Sequence, residues 1–172
     1  MGKNALVAHA SKHGGTEEIA ERIGEVLREA GLDAQVRAVG QVDDLKRYDA
    51  VVLGSGIYVG RWRRRAARFL KRRRVTLAQM PVWLFSSGPT GEGDPVKLAG
   101  GWRFPKALQP TADEIGPRDV ALFHGALDES KLNVIERWMV KNVGAPWGDF
   151  RDWDAITAWA ESIADELALT GS

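Results

Sequence analysis

The chain contains no cysteine, which excludes disulfides, thiolate nucleophiles and cysteine-ligated metal or iron–sulfur centres. It also has no apolar stretch near the roughly 18–20 residues that a membrane-spanning helix needs. The run after Lys3 is short and is broken by His9, so it does not read as a signal peptide. A strong charge of one sign is missing too: the formal net charge is +1, which gives no global reason to expect nucleic acid as a partner. No paired carboxylates, no Ser/His/Asp arrangement and no histidine spacing suggest hydrolysis or metal ligation. What remains is an ordinary soluble composition over 172 residues, 44% hydrophobic and 27% charged, expected to form a single domain over 1–172 and to reside in the cytoplasm.

Hydrophobic patterning then orders the chain. Ala5–Ala8, Ala50–Leu53 and Pro81–Phe85 are apolar runs of the kind found in strands buried on both faces. Residues 34–39 alternate, as an edge strand does, and Asp119–Phe123 reads as the last strand. Thr16–Ala30 has helical periodicity, with Ile19, Ile23, Val26, Leu27 and Ala30 on one face, Thr16 as N-cap and Gly31 as stop. Further helices are expected over 62–74, where Trp62, Ala66, Phe69 and Leu70 share a side, and around Leu132–Met139 behind a Ser130 cap. A final helix follows Asp152, with Ile156, Trp159, Ile163 and Leu167 on one face. Residues 88–117, rich in Gly and Pro, give no readable pattern. Strands alternating with helices predict an α/β fold: a parallel sheet covered on both faces, in a three-layer sandwich.

In such a sheet the C-terminal strand ends share one edge, where ligands bind. Three strands end there in loops rich in Gly and hydroxyl residues: Ser11–Thr16, Gly54–Gly60 and Ser86–Gly93. The first joins a strand to a helix N-terminus, where free N–H groups and the helix dipole favour an anion. It is neither a Walker A loop nor a dinucleotide fingerprint. A mononucleotide phosphate held by hydroxyls and N–H groups fits better, and the alternative is a plain helix entry with a hydroxyl cap.

Ser11-Lys12-His13-Gly14-Gly15-Thr16 resembles the flavodoxin phosphate loop, [ST]-x-[ST]-G-x-T, with His13 in place of a hydroxyl residue. The resemblance implies FMN bound on a five-stranded parallel sheet of order 2-1-3-4-5. It implies contacts from Ser11, Lys12, His13, Gly14, Gly15 and Thr16 to the phosphate. It further implies that Gly56, Ile57, Tyr58 and Val59, with Ser87, Gly88, Pro89, Thr90 and Gly91, flank the flavin ring. The stretch Gly54-Ser55-Gly56-Ile57-Tyr58-Val59-Gly60, with Arg137-Trp138-Met139-Val140-Lys141 and Asp152-Trp153, is similar to the menaquinone-dependent protoporphyrinogen dehydrogenases. That branch implies an FMN-dependent oxidoreductase passing electrons from a porphyrinogen-type donor to a quinone. A noncatalytic electron carrier docking to protein redox partners is the alternative. No side chain is assigned a catalytic role.

The third loop lacks a stacking aromatic, which leaves Tyr58 as the stacking candidate. A basic block from Arg61 to Arg74 adjoins the second loop. It reads either as a solvated helix face or as a surface for propionates, an acidic redox partner or anionic headgroups. The apolar face at Leu132, Ile135, Trp138 and Met139 is expected to pack on its own domain. Its alternative is a membrane-surface or quinone-approach element, with the protein peripherally attached to the inner face of the membrane. His9 and His124 are expected as polar lining of the site.

Overall fold

The computed structural model describes residues 2–170. In chain order its elements are β1 (Asn4–Ala10), α1 (Gly15–Glu29), β2 (Asp33–Ala38), β3 (Ala50–Tyr58), β4 (Arg61–Trp62), α2 (Arg64–Arg72) and α3 (Arg74–Leu77). They continue with β5 (Val82–Ser87), α4 (Pro95–Leu98), α5 (Gln109–Ile115), β6 (Asp119–Phe123), β7 (Ala126–Leu127), α6 (Val134–Val143), β8 (Gly148–Asp149) and α7 (Trp153–Leu169). The five long strands are parallel and lie in the order β2-β1-β3-β5-β6, the order that the flavodoxin resemblance implies.

Two apolar clusters flank the sheet, because successive residues of a strand point to opposite faces. Leu6 and Ala8 of β1, Val51 and Leu53 of β3, and Leu84 of β5 meet Ala66, Phe69 and Leu70 of α2, Leu77, and Ala112 and Ile115 of α5. Ala5, Val7, Val52, Trp83 and Phe85 meet Ile19, Ile23 and Leu27 of α1 and Ile156, Ile163 and Leu167 of α7. Burial on both faces is what makes β1, β3 and β5 read as unbroken apolar runs. Gly54 is required within β3, since a Cβ there would lie 2.0 Å from the Phe85 ring on the neighbouring strand.

Several local expectations are corrected. Helix α1 starts at Gly15 with Gly14 as N-cap (φ 85°), so Thr16 is already inside the first turn. Ala30 is the exposed C-cap, and Gly31 (φ 95°) closes the helix with bonds to Arg28 O and, through Leu32 N–H, to Leu27 O. Trp62 belongs to no helix. It pairs with Ile57 across a two-residue hairpin turn, Val59-Gly60, and its indole N–H donates to Ser86 Oγ at 2.7 Å. Both turn residues have positive φ, 51° and 69°, as the twist of such a hairpin demands. The unreadable stretch 88–117 holds α4, a 3₁₀ turn and α5, and buries Phe104 edge-on against Trp62.

Candidate functional site

Residues at the C-terminal edge of the sheet enclose a cavity of about 320 Å³. Of the residues expected from sequence, Ser11, Lys12, His13, Gly15, Thr16, Gly56, Ile57, Tyr58, Val59, Ser87 and Gly88 line it. Gly14 is the helix cap between them. Pro89, Thr90 and Gly91 turn away from the cavity. The carbonyl of Pro89 accepts from Gly125 N–H and contacts a ring nitrogen of His124, Thr90 Oγ1 is buried without a partner, and Gly91 faces Leu98 and Pro146.

The first loop gathers free backbone donors at one spot. Ser11 Oγ accepts the Gly14 N–H at 2.9 Å, which fixes the turn. Among the described residues, the N–H groups of Lys12, His13, Gly15 and Thr16 donate to no protein acceptor. Four unpaired donors at the positive end of α1 form a cradle with the chemistry of a phosphate site. Thr16 Oγ1 lies 2.9 Å from Ser87 Oγ in a buried contact that ties the first loop to the third. Close backbone approach also matters here: a Cβ on Gly88 would lie 2.9 Å from Ile57 Cβ, and one on Gly125 would lie 2.9 Å from Gly88 O.

The far wall was not legible in the sequence. It comes from Gly125, Ala126 and Leu127, from Leu132, and from Glu136, Met139, Val140 and Val143 of α6. Here α6 departs from expectation. Its cap is Asn133, in a capping box with Glu136, and Ser130 instead lies in a 3₁₀ turn that Asp128 caps. Val134, Ile135 and Trp138 are exposed, whereas the carboxylate-bearing Glu136 is buried at 4% exposure. Packing of the whole apolar face on its own domain is therefore overturned: Leu132 and Met139 turn inward, and Ile135 and Trp138 turn outward.

Glu136 reaches the first loop. Its Oε2 accepts from Lys12 Nζ and from His13 Nε2, each at 2.9 Å. Burial pushes the carboxyl pKa up, but the hydrogen bonds from His13 and Lys12, the Asn133 N–H and the Lys12 charge outweigh it and hold the group at about 2. Tyr58 stands at the rim, with Lys12 Nζ 5.3 Å and the Arg63 guanidinium 6.0 Å from its ring centre, and its hydroxyl donates to Met139 Sδ.

Strands β7 and β8 pair as an antiparallel ribbon, so residues 128–147 form a flap whose stem is that ribbon. Arg151 pins the stem. It donates to Asp149 at 2.7 Å, to Glu18 at 3.2 Å and to the Gly15 carbonyl at 3.3 Å. The hydrogen bond that Arg151 donates to Asp149 foremost raises the pKa of Arg151, and the same bond lowers that of Asp149.

Neither histidine expected as lining faces the cavity. His9 is buried with Nδ1 unpartnered, and burial lowers its pKa against the opposing pull of Glu17 and Glu21. His124 bridges the carbonyls of Pro89 and Gly93, holding the third loop. In the basic block, Arg64, Arg65, Arg68, Lys71 and Arg72 form the exposed face of α2. Arg73 instead folds onto the carbonyls of Val42 and Asp43, and Arg74 pairs with Glu114.

Residues 6–153 match the family model described as a flavodoxin domain. The chain belongs to the flavodoxin family. Protoporphyrinogen IX dehydrogenase [quinone] of Escherichia coli K12 is 24% identical over 92% of this chain and 93% of its own length. Among solved structures, a flavodoxin from the domain Archaea superposes with a TM-score of 0.65 at 16% identity, covering 96% of this chain and 99% of that one. A flavodoxin variant from Pseudomonas aeruginosa gives 0.59 at 17% identity, covering 96% and 99%. The cofactor of this family is FMN, and the free N–H groups of the first loop, opening on a cavity that the second and third loops also line, fit it. When bound, FMN supplies the redox chemistry, as an oxidoreductase or as an electron carrier, and the protein supplies anchoring and access.

Proposed function

We propose that this flavodoxin-family protein is an enzyme that oxidises a porphyrinogen-type substrate through FMN, with a quinone as acceptor. In this reading the N–H groups of Lys12, His13, Gly15 and Thr16 and the Ser11 hydroxyl hold the phosphate. Gly56, Ile57, Tyr58, Ser87 and Gly88, which line the same cavity, contact the flavin ring. The porphyrinogen loses six electrons and six protons to become the porphyrin, in three two-electron rounds through the flavin, and three quinones each take up two electrons and two protons to become quinols.

The single observation that carries the reading is the wall opposite the phosphate loop. Leu127, Leu132, Met139, Val140 and Val143 make it apolar and broad, and no aromatic of the third loop covers the ring site. A macrocycle with an apolar body suits that wall, and Arg63 lines the cavity beside Tyr58 as a partner for a carboxylate substituent. The match to the E. coli protoporphyrinogen IX dehydrogenase along nearly the full length of both chains points the same way.

The outer face of α6 supports access to a membrane-dissolved acceptor. Val134, Ile135 and Trp138 project from it beside Lys131, Arg137 and Lys141, a composition suited to lying on an anionic lipid surface. No helix among the described residues is long and apolar enough to cross a membrane, so the contact in this reading is peripheral.

Anaerobic turnover of protoporphyrinogen IX with a menaquinone analogue tests the proposal. The expected result is porphyrin formation that requires both FMN and the quinone. A protein that binds FMN but gives no porphyrin would leave a noncatalytic electron carrier as the better reading.

A further inference from the structure

Two side chains of the first loop, Lys12 and His13, already engage a carboxylate belonging to the chain itself. Lys12 and His13 both point to Glu136, whose carboxylate is buried and whose second oxygen, Oε1, faces the Asn133 N–H at 3.4 Å. Beside them the four unpaired backbone donors of the loop remain free. The anchoring of the loop is therefore divided: the N–H cradle is open, and the Lys12 and His13 side chains are engaged.

The element carrying Glu136 is otherwise loosely held. Helix α6 sits in the flap 128–147, closed at its base by β7 and β8, and among the described residues no other helix or strand packs extensively along it. Val134, Ile135 and Trp138 face away from the protein. Between the helix body and the cofactor loops, the polar ties are the Glu136 contacts and the exposed Tyr58 hydroxyl to Met139.

We infer that Glu136 is a selectivity residue of the flavin site, an internal competitor that the FMN phosphate must displace from Lys12 and His13. A phosphate dianion entering the cradle adds negative charge beside a buried carboxylate. Like charges brought close in a partly desolvated site repel strongly. That repulsion is relieved when Glu136 releases the loop and α6 swings out on its ribbon, so the free energy of the Glu136 contacts is subtracted from phosphate binding. A flavin without a phosphate is not subject to this term. Occupancy of the phosphate loop and closure of the flap are thereby linked, and by reciprocity whatever opens the flap tightens FMN.

The test compares FMN with riboflavin on the apo protein, by quenching of flavin fluorescence. Glu136→Gln keeps the size of the side chain and removes its charge. The expected result is FMN binding about tenfold tighter than in the wild type, with riboflavin changed by less than about twofold. Unchanged or weaker FMN binding would overturn the inference, because Glu136 would then orient Lys12 and His13 for the phosphate. An equal gain for both flavins would overturn it as well, because the helix would then be acting only as a steric cover. Hydrogen exchange on the unaltered protein gives a second readout independent of any variant. FMN is expected to speed exchange of the α6 amides relative to riboflavin at equal saturation. Equal exchange with both ligands, or slower exchange with FMN, contradicts the linkage.

Discussion

Thr16 Oγ1 and Ser87 Oγ, 71 residues apart in the chain, meet at 2.9 Å in the buried floor of the cavity. The contact joins the first turn of α1 to the end of β5, so the first and third loops share one fixed floor. Replacing Ser87 by Ala leaves the Thr16 hydroxyl buried without a partner. Urea denaturation of the apo protein is expected to show a loss of about 1–3 kcal/mol with an unchanged m-value.

Val59 is the non-glycine residue with positive φ, 51°, among those described, and it is β-branched, the class that fits this region worst. It is 69% exposed, so packing does not compensate for the strain. Val59→Asn, which tolerates the left-handed region, is expected to stabilise the protein by about 1 kcal/mol, readable as a rise in Tm.

Glu136 gives the apo protein a defined acid sensitivity. Its carboxyl is held at about 2 in the folded state against an ordinary value of 4.5, so the folded state favours the charged form. The contribution is complete above pH 4.5 and is lost as pH falls from there through about 2. The stability difference between wild type and Glu136→Gln is therefore expected to be constant near neutrality and to shrink across that interval. A difference that grows on acidification would contradict the assignment.

Much of this architecture is legible in the sequence, for reasons that also explain what is hidden. Burial on both faces makes β1, β3 and β5 continuous apolar runs, and the single buried face of α1 writes itself as Ile19, Ile23, Val26 and Leu27. Periodicity reveals that a helix has an apolar face, but not whether that face meets protein. In α6 it therefore misleads, because Ile135 and Trp138 point outward while Glu136 points in. The carboxylate is buried because its partners, Lys12 and His13, lie more than a hundred residues earlier, a relation that no local window contains. The Asn133-x-x-Glu136 capping box was the available local signal for where α6 begins. Trp62 failed in the opposite way: it fits the helical period of Ala66, Phe69 and Leu70, yet the turn at Val59-Gly60 places it in a hairpin.

The outward residues of α6 make the proposed lipid contact testable. Binding of the protein to vesicles containing anionic lipid is expected to weaken about tenfold or more when Ile135 and Trp138 are both replaced by Ser. Added salt is expected to weaken it further through Lys131, Arg137 and Lys141. Equal binding by the double variant would remove α6 from the contact.

Cofactor anchoring by the Ser11–Thr16 loop is the central claim, and titration of the apo protein with FMN tests it most directly when followed by the ³¹P resonance of the flavin phosphate. The expected result is saturation at one FMN per chain, with a bound resonance displaced from that of free FMN because the loop N–H groups enclose the phosphate. Absence of saturable binding, or binding that leaves the phosphate resonance at its free position, would contradict it.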